Sequence, residues 1–79
     1  MSRKELHELL VSEGFSVIGV NGWKMGSMSI ALTGGFLVVE LSDGGSLSFP
    51  FRKDCKFELR VYDRDFVIWW NGMSFFNKI

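Results

Sequence analysis

Residues 66–76 read Phe-Val-Ile-Trp-Trp, then Asn-Gly, then Met-Ser-Phe-Phe, and this stretch decides the predicted fold. An Asn-Gly pair tolerates the positive φ angles of a two-residue hairpin, so we expect two antiparallel strands joined by a tight turn. Successive side chains of a strand point to opposite sides, yet the first run is apolar on both sides. Each side of this strand must therefore be covered, either by the rest of the chain or by another molecule. This requirement is the main clue to function.

The N-terminus carries the signals of one amphipathic helix. Ser2 followed by Glu5 forms a capping box, and the leucines that follow recur at helical spacing. Gly14 can take the left-handed conformation that closes a helix. We expect the helix to run from about Arg3 to Ser12 or Glu13, with His7 on its solvent side.

From Phe15 onward, short apolar runs alternate with turn residues, and no second helical period is present. Asn21-Gly22 predicts a second two-residue hairpin, while Gly26-Ser27 marks a bulge or a break in the following strand. Pro50 places its strand at an edge or at a bulge. The predicted fold is α+β, with one N-terminal helix packed on a strongly bent antiparallel β-meander of five to seven short strands. Closure of this sheet into a partial barrel is one form it could take.

Length and composition narrow the class of protein. The 79 residues predict one domain, 1–79, of a size at which self-association often supplements a small core. No apolar run approaches the roughly 20 residues needed to cross a bilayer. The charged start at residues 2–5 lacks the apolar region of a signal peptide, so we expect a cytoplasmic protein.

Residues that could carry catalysis are sparse, and the sequence predicts no enzyme, no cofactor and no metal. Cys55 is the only cysteine and His7 the only histidine, so neither a thiol–imidazole pair nor a zinc site is indicated. Asp63 and Asp65 flank a predicted turn, where aspartate commonly hydrogen-bonds to the backbone.

One short resemblance to a known family concerns the first residues. Residues 2–15, together with the Ser46–Pro50 run, loosely resemble the helix-then-hairpin start of the HicA-type messenger-RNA interferase toxins. The resemblance implies a catalytic histidine after a Gly-Ser pair, but Gly26-Ser27 is followed here by Met28. The closing helix of that family is replaced by residues 66–76. We therefore do not assign the chain to the family, and we expect no RNase activity by its mechanism.

The nine basic and nine acidic side chains balance, so the chain as a whole has no long-range attraction to nucleic acid. Exposed tryptophan is typical of protein interfaces. We therefore predict a non-catalytic protein–protein interaction module, of the kind of the small inhibitors, adaptors and immunity-type proteins of bacteriophages and other mobile elements. Homodimerisation through the same surface is a second possibility, and binding of single-stranded RNA on exposed aromatic rings is the alternative function. The predicted partner-binding residues are Trp69, Trp70, Phe75, Tyr62, Arg60 and Arg64.

Overall fold

A computed structural model describes residues 1–78, which form one helix followed by eight strands. The helix, α1, spans Arg3–Ser12. The strands are β1 (Ser16–Ile18), β2 (Gly22–Met25), β3 (Met28–Thr33), β4 (Phe36–Glu40), β5 (Ser46–Pro50), β6 (Phe57–Val61), β7 (Asp65–Trp70) and β8 (Met73–Lys78).

The strands form two antiparallel meanders, a five-stranded sheet in the order β1-β2-β3-β4-β5 and a three-stranded sheet in the order β6-β7-β8. The predicted α+β class with a single N-terminal helix is confirmed. The described strands number eight instead of five to seven, partly because Gly26, with a φ of 60°, turns the chain at the predicted break and makes two strands of one. The strands of residues 1–78 form two separate ladders, so they do not make a closed barrel.

The ends of α1 follow the predicted signals. The Glu5 amide donates to Ser2 Oγ (3.1 Å), and the Ser2 amide donates to Glu5 Oε1 (2.9 Å), which completes the capping box. Gly14 has a φ of 104° just beyond the last turn. Leu6 and Leu10 are fully buried, so α1 turns one apolar stripe towards the sheets.

The two Asn-Gly pairs behave differently. Asn71 and Gly72 have φ angles of 47° and 85°, and they form the predicted two-residue turn between Trp70 and Met73. The prediction for Asn21-Gly22 is wrong, because Gly22 already pairs with Ile18 and the turn lies at residues 19–21.

Long-range contacts explain this difference at the first pair. The Asn21 side chain accepts a hydrogen bond from Arg3 Nε (2.8 Å), and its carbonyl accepts one from the Leu32 amide (2.9 Å). A Cβ atom on Gly22 would lie 2.6 Å from the carbonyl oxygen of Ile18. A glycine is therefore required at residue 22 for close backbone approach and not for a positive φ.

The core lies between the two sheets and α1. The largest fully buried side chains include Trp23 of β2 and Phe66 of β7. The chain has no buried charged residue among those described. The complete set of buried apolar residues is Leu6, Leu10, Phe15, Trp23, Met28, Ile30, Leu37, Val39, Phe49, Cys55, Phe57, Leu59, Phe66 and Ile68.

His7 does not lie on the solvent side of α1, as its position in the helix had indicated. It is half-buried, and its Nδ1 atom accepts a hydrogen bond from the buried indole Nε1 of Trp23 (3.2 Å). The guanidinium of Arg3 lies over the same indole, with Cζ 5.6 Å from the ring centroid. His7 therefore supplies the polar partner that a fully buried tryptophan requires.

Candidate functional site

The three-stranded sheet has one face towards the core and one face away from it. Phe66 and Ile68 of β7 are fully buried, so the alternate residues Val67 and Trp69 point outward. Cross-strand pairing extends this outward set to β6 and β8. We call this surface the outer face; it consists of Glu58, Arg60, Asp65, Val67, Trp69, Ser74, Phe76 and Lys78.

An apolar strip crosses the outer face. Val67 pairs with Phe76 of β8, and Trp69 lies two residues further along β7, on the same face and opposite Ser74. Val67 and Trp69 are half-buried, whereas 66% of Phe76 is exposed. Exposed aromatic side chains beside partly buried ones make a contiguous patch of the kind that marks binding sites.

Charged side chains flank this strip and balance one another. Arg60 pairs with Val67 and Glu58 with Trp69, and the Arg60 Nε atom lies 3.1 Å from Glu58 Oε1. Asp65 pairs with Lys78 across β7 and β8. The outer face therefore has an apolar centre and a charged rim, with no excess of either sign.

An open cleft of about 390 Å³ adjoins Trp69 at the end of the outer face. Its walls carry both basic and acidic groups, among them Lys53, Lys56 and Glu5. No group of three histidine, cysteine, aspartate or glutamate side chains is placed to hold a metal ion within residues 1–78. The cleft widens the surface around Trp69 without adding a recognisable catalytic constellation.

Two of the six predicted partner-binding residues point towards the core. The Trp70 ring lies 5.8 Å from that of Phe49, and its Nε1 atom donates to the carbonyl oxygen of Pro50 (3.2 Å). Phe75 meets Phe49 edge to face, with ring centroids 5.1 Å apart. Trp70 and Phe75 are half-buried and help to hold the two sheets together.

The other four predicted residues lie on or beside the outer face. Trp69 and Arg60 belong to it. Tyr62 directly follows β6 and is 55% exposed, and its amide donates to the carbonyl oxygen of Asp65 (2.8 Å). Arg64 is exposed in the turn that leads into β7. The structure thus brings Trp69 and Arg60 to one side of the sheet, with the exposed Tyr62 just beyond the end of β6.

Val67 and Phe76 belong to the outer face but are not among the six predicted partner-binding residues. The signal was present in the Asn71-Gly72 hairpin, because a two-residue turn makes Trp70 pair with Met73. Counting back from that pair matches Val67 with Phe76 and places both on the side of Trp69. The register of the β7–β8 pair therefore identifies Phe76, and not Phe75, as the phenylalanine on the same face as Trp69.

Exposed apolar side chains also lie at the β1 edge of the five-stranded sheet. Val17 and Ile18 of β1 are each about half exposed and, as neighbours in a strand, point to opposite faces. Val20, in the turn that follows, is 79% exposed. Val20 offers a control position for substitutions on the outer face.

The chain has no match among known protein families, curated proteins or solved structures. Within residues 1–78, no helix has both the length and the apolar character needed to span a membrane.

Proposed function

We propose that this chain is a non-catalytic protein-binding module whose outer face contacts another protein. The observation that carries the proposal is the apolar strip of Val67, Trp69 and Phe76 on a sheet face that α1 and the other sheet do not cover. Apolar surface of this kind gains free energy when a partner removes it from water.

The composition of the outer face favours a protein over other partners. Tryptophan and arginine are enriched among residues that dominate interface energetics, and Trp69 lies diagonally across β6 and β7 from Arg60. The Arg60–Glu58 ion pair is solvent-exposed, which suits the polar rim that surrounds an apolar interface centre. In the bound state Trp69 is the anchor, and Phe76 supplies the largest newly buried area.

The proposed class of partner follows from size and chemistry. A chain of 79 residues with no recognisable catalytic constellation resembles the small inhibitors, adaptors and immunity-type proteins that bacteriophages and other mobile elements encode. This step is an analogy of size and chemistry. It implies that the chain acts by occupying a surface of its target.

Binding of single-stranded RNA is the second candidate, because Trp69 and Arg60 share one side of the sheet and the exposed Tyr62 directly follows β6. Aromatic rings can stack on bases while basic side chains contact phosphates. Glu58 and Asp65 lie among these residues and reduce the positive potential that such binding needs. The balance of charge favours the protein partner.

The test compares three variants as baits in a lysate of the source organism. Trp69→Ala and Phe76→Ser remove the two largest apolar groups of the outer face, and Val20→Ser removes an exposed apolar group elsewhere on the chain. Native mass spectrometry then identifies stoichiometric complexes, and circular dichroism verifies that each bait is folded.

The proposal requires a partner that wild type and Val20→Ser retain and that both outer-face variants lose. If all three variants retain the partner, the binding site does not lie on the outer face. A titration of the wild type and of Trp69→Ala with single-stranded oligonucleotides at low salt tests the second candidate function. Oligonucleotide binding that is lost in Trp69→Ala would favour RNA binding over protein binding.

A further inference from the structure

The direction of the main-chain groups in β7 can be read from two hydrogen bonds at its ends. The Tyr62 amide donates to the Asp65 carbonyl (2.8 Å), and the Asn71 amide donates to the Lys56 carbonyl (2.8 Å). The odd-numbered residues of β7 and its turn therefore face β6. Because main-chain groups alternate in direction along an antiparallel strand, the even-numbered residues of β7 bond to β8.

This alternation identifies which groups of β8 lie at the edge of the sheet. Phe75 pairs with Ile68, an even-numbered residue, so its amide and carbonyl are directed to β7. Ser74 and Phe76, on either side of it, direct theirs away from β7. Within residues 1–78, no other segment hydrogen-bonds to these edge groups.

The other sheet edges are shorter or already covered. On β6, the outward amide of Val61 donates to Glu13 Oε1 (2.8 Å) at the end of α1. On β5, Pro50 has no amide hydrogen, and its carbonyl accepts the indole of Trp70. β1 is only three residues long. The edge of β8 spans six residues and is the longest one that makes no such hydrogen bond; the loop residues 41–43 border it only across an open cleft beside residues 76–78.

We propose that β8 pairs with β8 of a second copy of this chain, so that two three-stranded sheets become one six-stranded sheet. The pairing is antiparallel about a two-fold axis at Phe76, which places Phe76 opposite Phe76 and Ser74 opposite Lys78. An antiparallel edge is complementary to itself in this register, because each outward amide faces an outward carbonyl.

The side chains of the outer face agree with this register. Phe76 is 66% exposed, and the two-fold axis places both copies of it side by side on the same sheet face, where they contact each other and still present the outer face to solvent. Lys78 already lies opposite Asp65 of its own copy and would face the neutral Ser74 of the second. No like charges are brought into opposition, and the two apolar strips become continuous across the axis.

The backbone part of the proposal is tested with Ser74→Pro, which removes an edge amide that makes no bond inside the hairpin. Analytical ultracentrifugation measures the dissociation constant of the dimer for this variant, for Phe76→Lys and for the control Val20→Lys. We expect Ser74→Pro to weaken the dimer by about tenfold or more, since symmetry removes one hydrogen bond from each copy. Phe76→Lys should be monomeric, and Val20→Lys should behave as wild type.

The register is tested with Phe76→Cys in a Cys55→Ala background, which leaves a single thiol per chain. Hydrogen-bonded antiparallel pairs have Cα atoms about 5.5 Å apart, within the range of about 4.4–6.8 Å that a disulfide spans. Oxidation should therefore yield a covalent dimer. A shift of the axis by one residue would move these Cα atoms beyond that range and give no cross-link.

Dimerisation goes beyond the proposed function, and Trp69→Ala separates the two. This variant should lose the protein partner and keep the dimer, because Trp69 lies on β7 and not at the edge. A wild-type chain that stays monomeric at submillimolar concentration would overturn the edge pairing. A dimer abolished by Val20→Lys and unaffected by Ser74→Pro would overturn it as well.

Discussion

The indole Nε1 of Trp70 donates a hydrogen bond to the carbonyl oxygen of Pro50, 3.2 Å away, and this bond joins the two sheets. The same indole packs against the ring of Phe49, a buried residue of β5. Trp69, the next residue along the chain, lies on the outer face and makes no such contact. Adjacent tryptophans therefore lie in different environments: Trp70 joins the two sheets, and Trp69 lies on the outer face, the surface that we propose binds a partner.

The separation predicts unequal costs of truncation. Trp70→Ala should lower the free energy of unfolding by about 2–4 kcal/mol, because it opens the space between the sheets and leaves the Pro50 carbonyl without its indole partner. Trp69→Ala should cost less than about 1 kcal/mol. Urea unfolding followed by circular dichroism measures both, and equal losses would contradict the assignment of the two faces.

The hydrogen bond between His7 and Trp23 predicts that replacing His7 destabilises the fold. The position of His7 in α1 alone does not predict this loss. His7→Ala leaves the Trp23 Nε1 hydrogen without its acceptor inside the core, so we expect a loss of about 1–3 kcal/mol in unfolding free energy. Glu8→Ala, at the next and exposed position of α1, is the matched control and should change little. Similar unfolding free energies for the two variants would mean that a water molecule accepts the Trp23 indole hydrogen bond in place of His7.

The capping box predicts a pH dependence of stability. Hydrogen bonds from the Ser2 backbone amide and then the Ser2 hydroxyl lower the pKa of Glu5 below its ordinary value of 4.5. A lowered pKa in the folded state means that the Glu5 contribution is fully present above pH 4.5 and is lost as the pH falls through the folded pKa. Glu5→Gln should remove this part of the pH profile, and an NMR titration of the Glu5 carboxyl checks the direction of the shift.

The two Asn-Gly glycines predict different local consequences of the same substitution. Gly72→Ala places a side chain at a φ of 85° with open space around it, at a cost of about 1–2 kcal/mol in backbone strain. Gly22→Ala brings a Cβ atom to 2.6 Å from the Ile18 carbonyl oxygen, so β1 must shift. Amide hydrogen exchange should accelerate in β1 only for Gly22→Ala, and protection that persists there would contradict the required close approach.

Local signals predicted the elements well where neighbouring residues alone satisfy the backbone. The helix begins and ends at the predicted residues, because Ser2, Glu5 and Gly14 act within one turn of its ends. The turn at Asn71-Gly72 is also correct, since both residues take the positive φ angles that the pair favours. The predicted edge position of Pro50 agrees with β5 as the last strand of its sheet.

Predictions failed where a distant segment competes for the same groups. Asn21 does not form the two-residue turn, because Arg3 and Leu32 bind its side chain and its carbonyl. His7 faces Trp23, a residue sixteen positions further along the chain, and helical spacing carries no information about that contact. The division of the meander into two sheets likewise depends on how β5 and β6 separate in space.

The sequence by itself determined the α+β class, the helix limits and the presence of apolar residues on both sides of β7, because these depend on short-range backbone preferences and on alternation along a strand. Only the tertiary structure decided which side is core. Packing of Phe49 against Trp70 and Phe75 buries one side, and this leaves Val67, Trp69 and Phe76 on the other. Burial is a property of the assembled layers, so the side that remains uncovered is defined only when both sheets are in place.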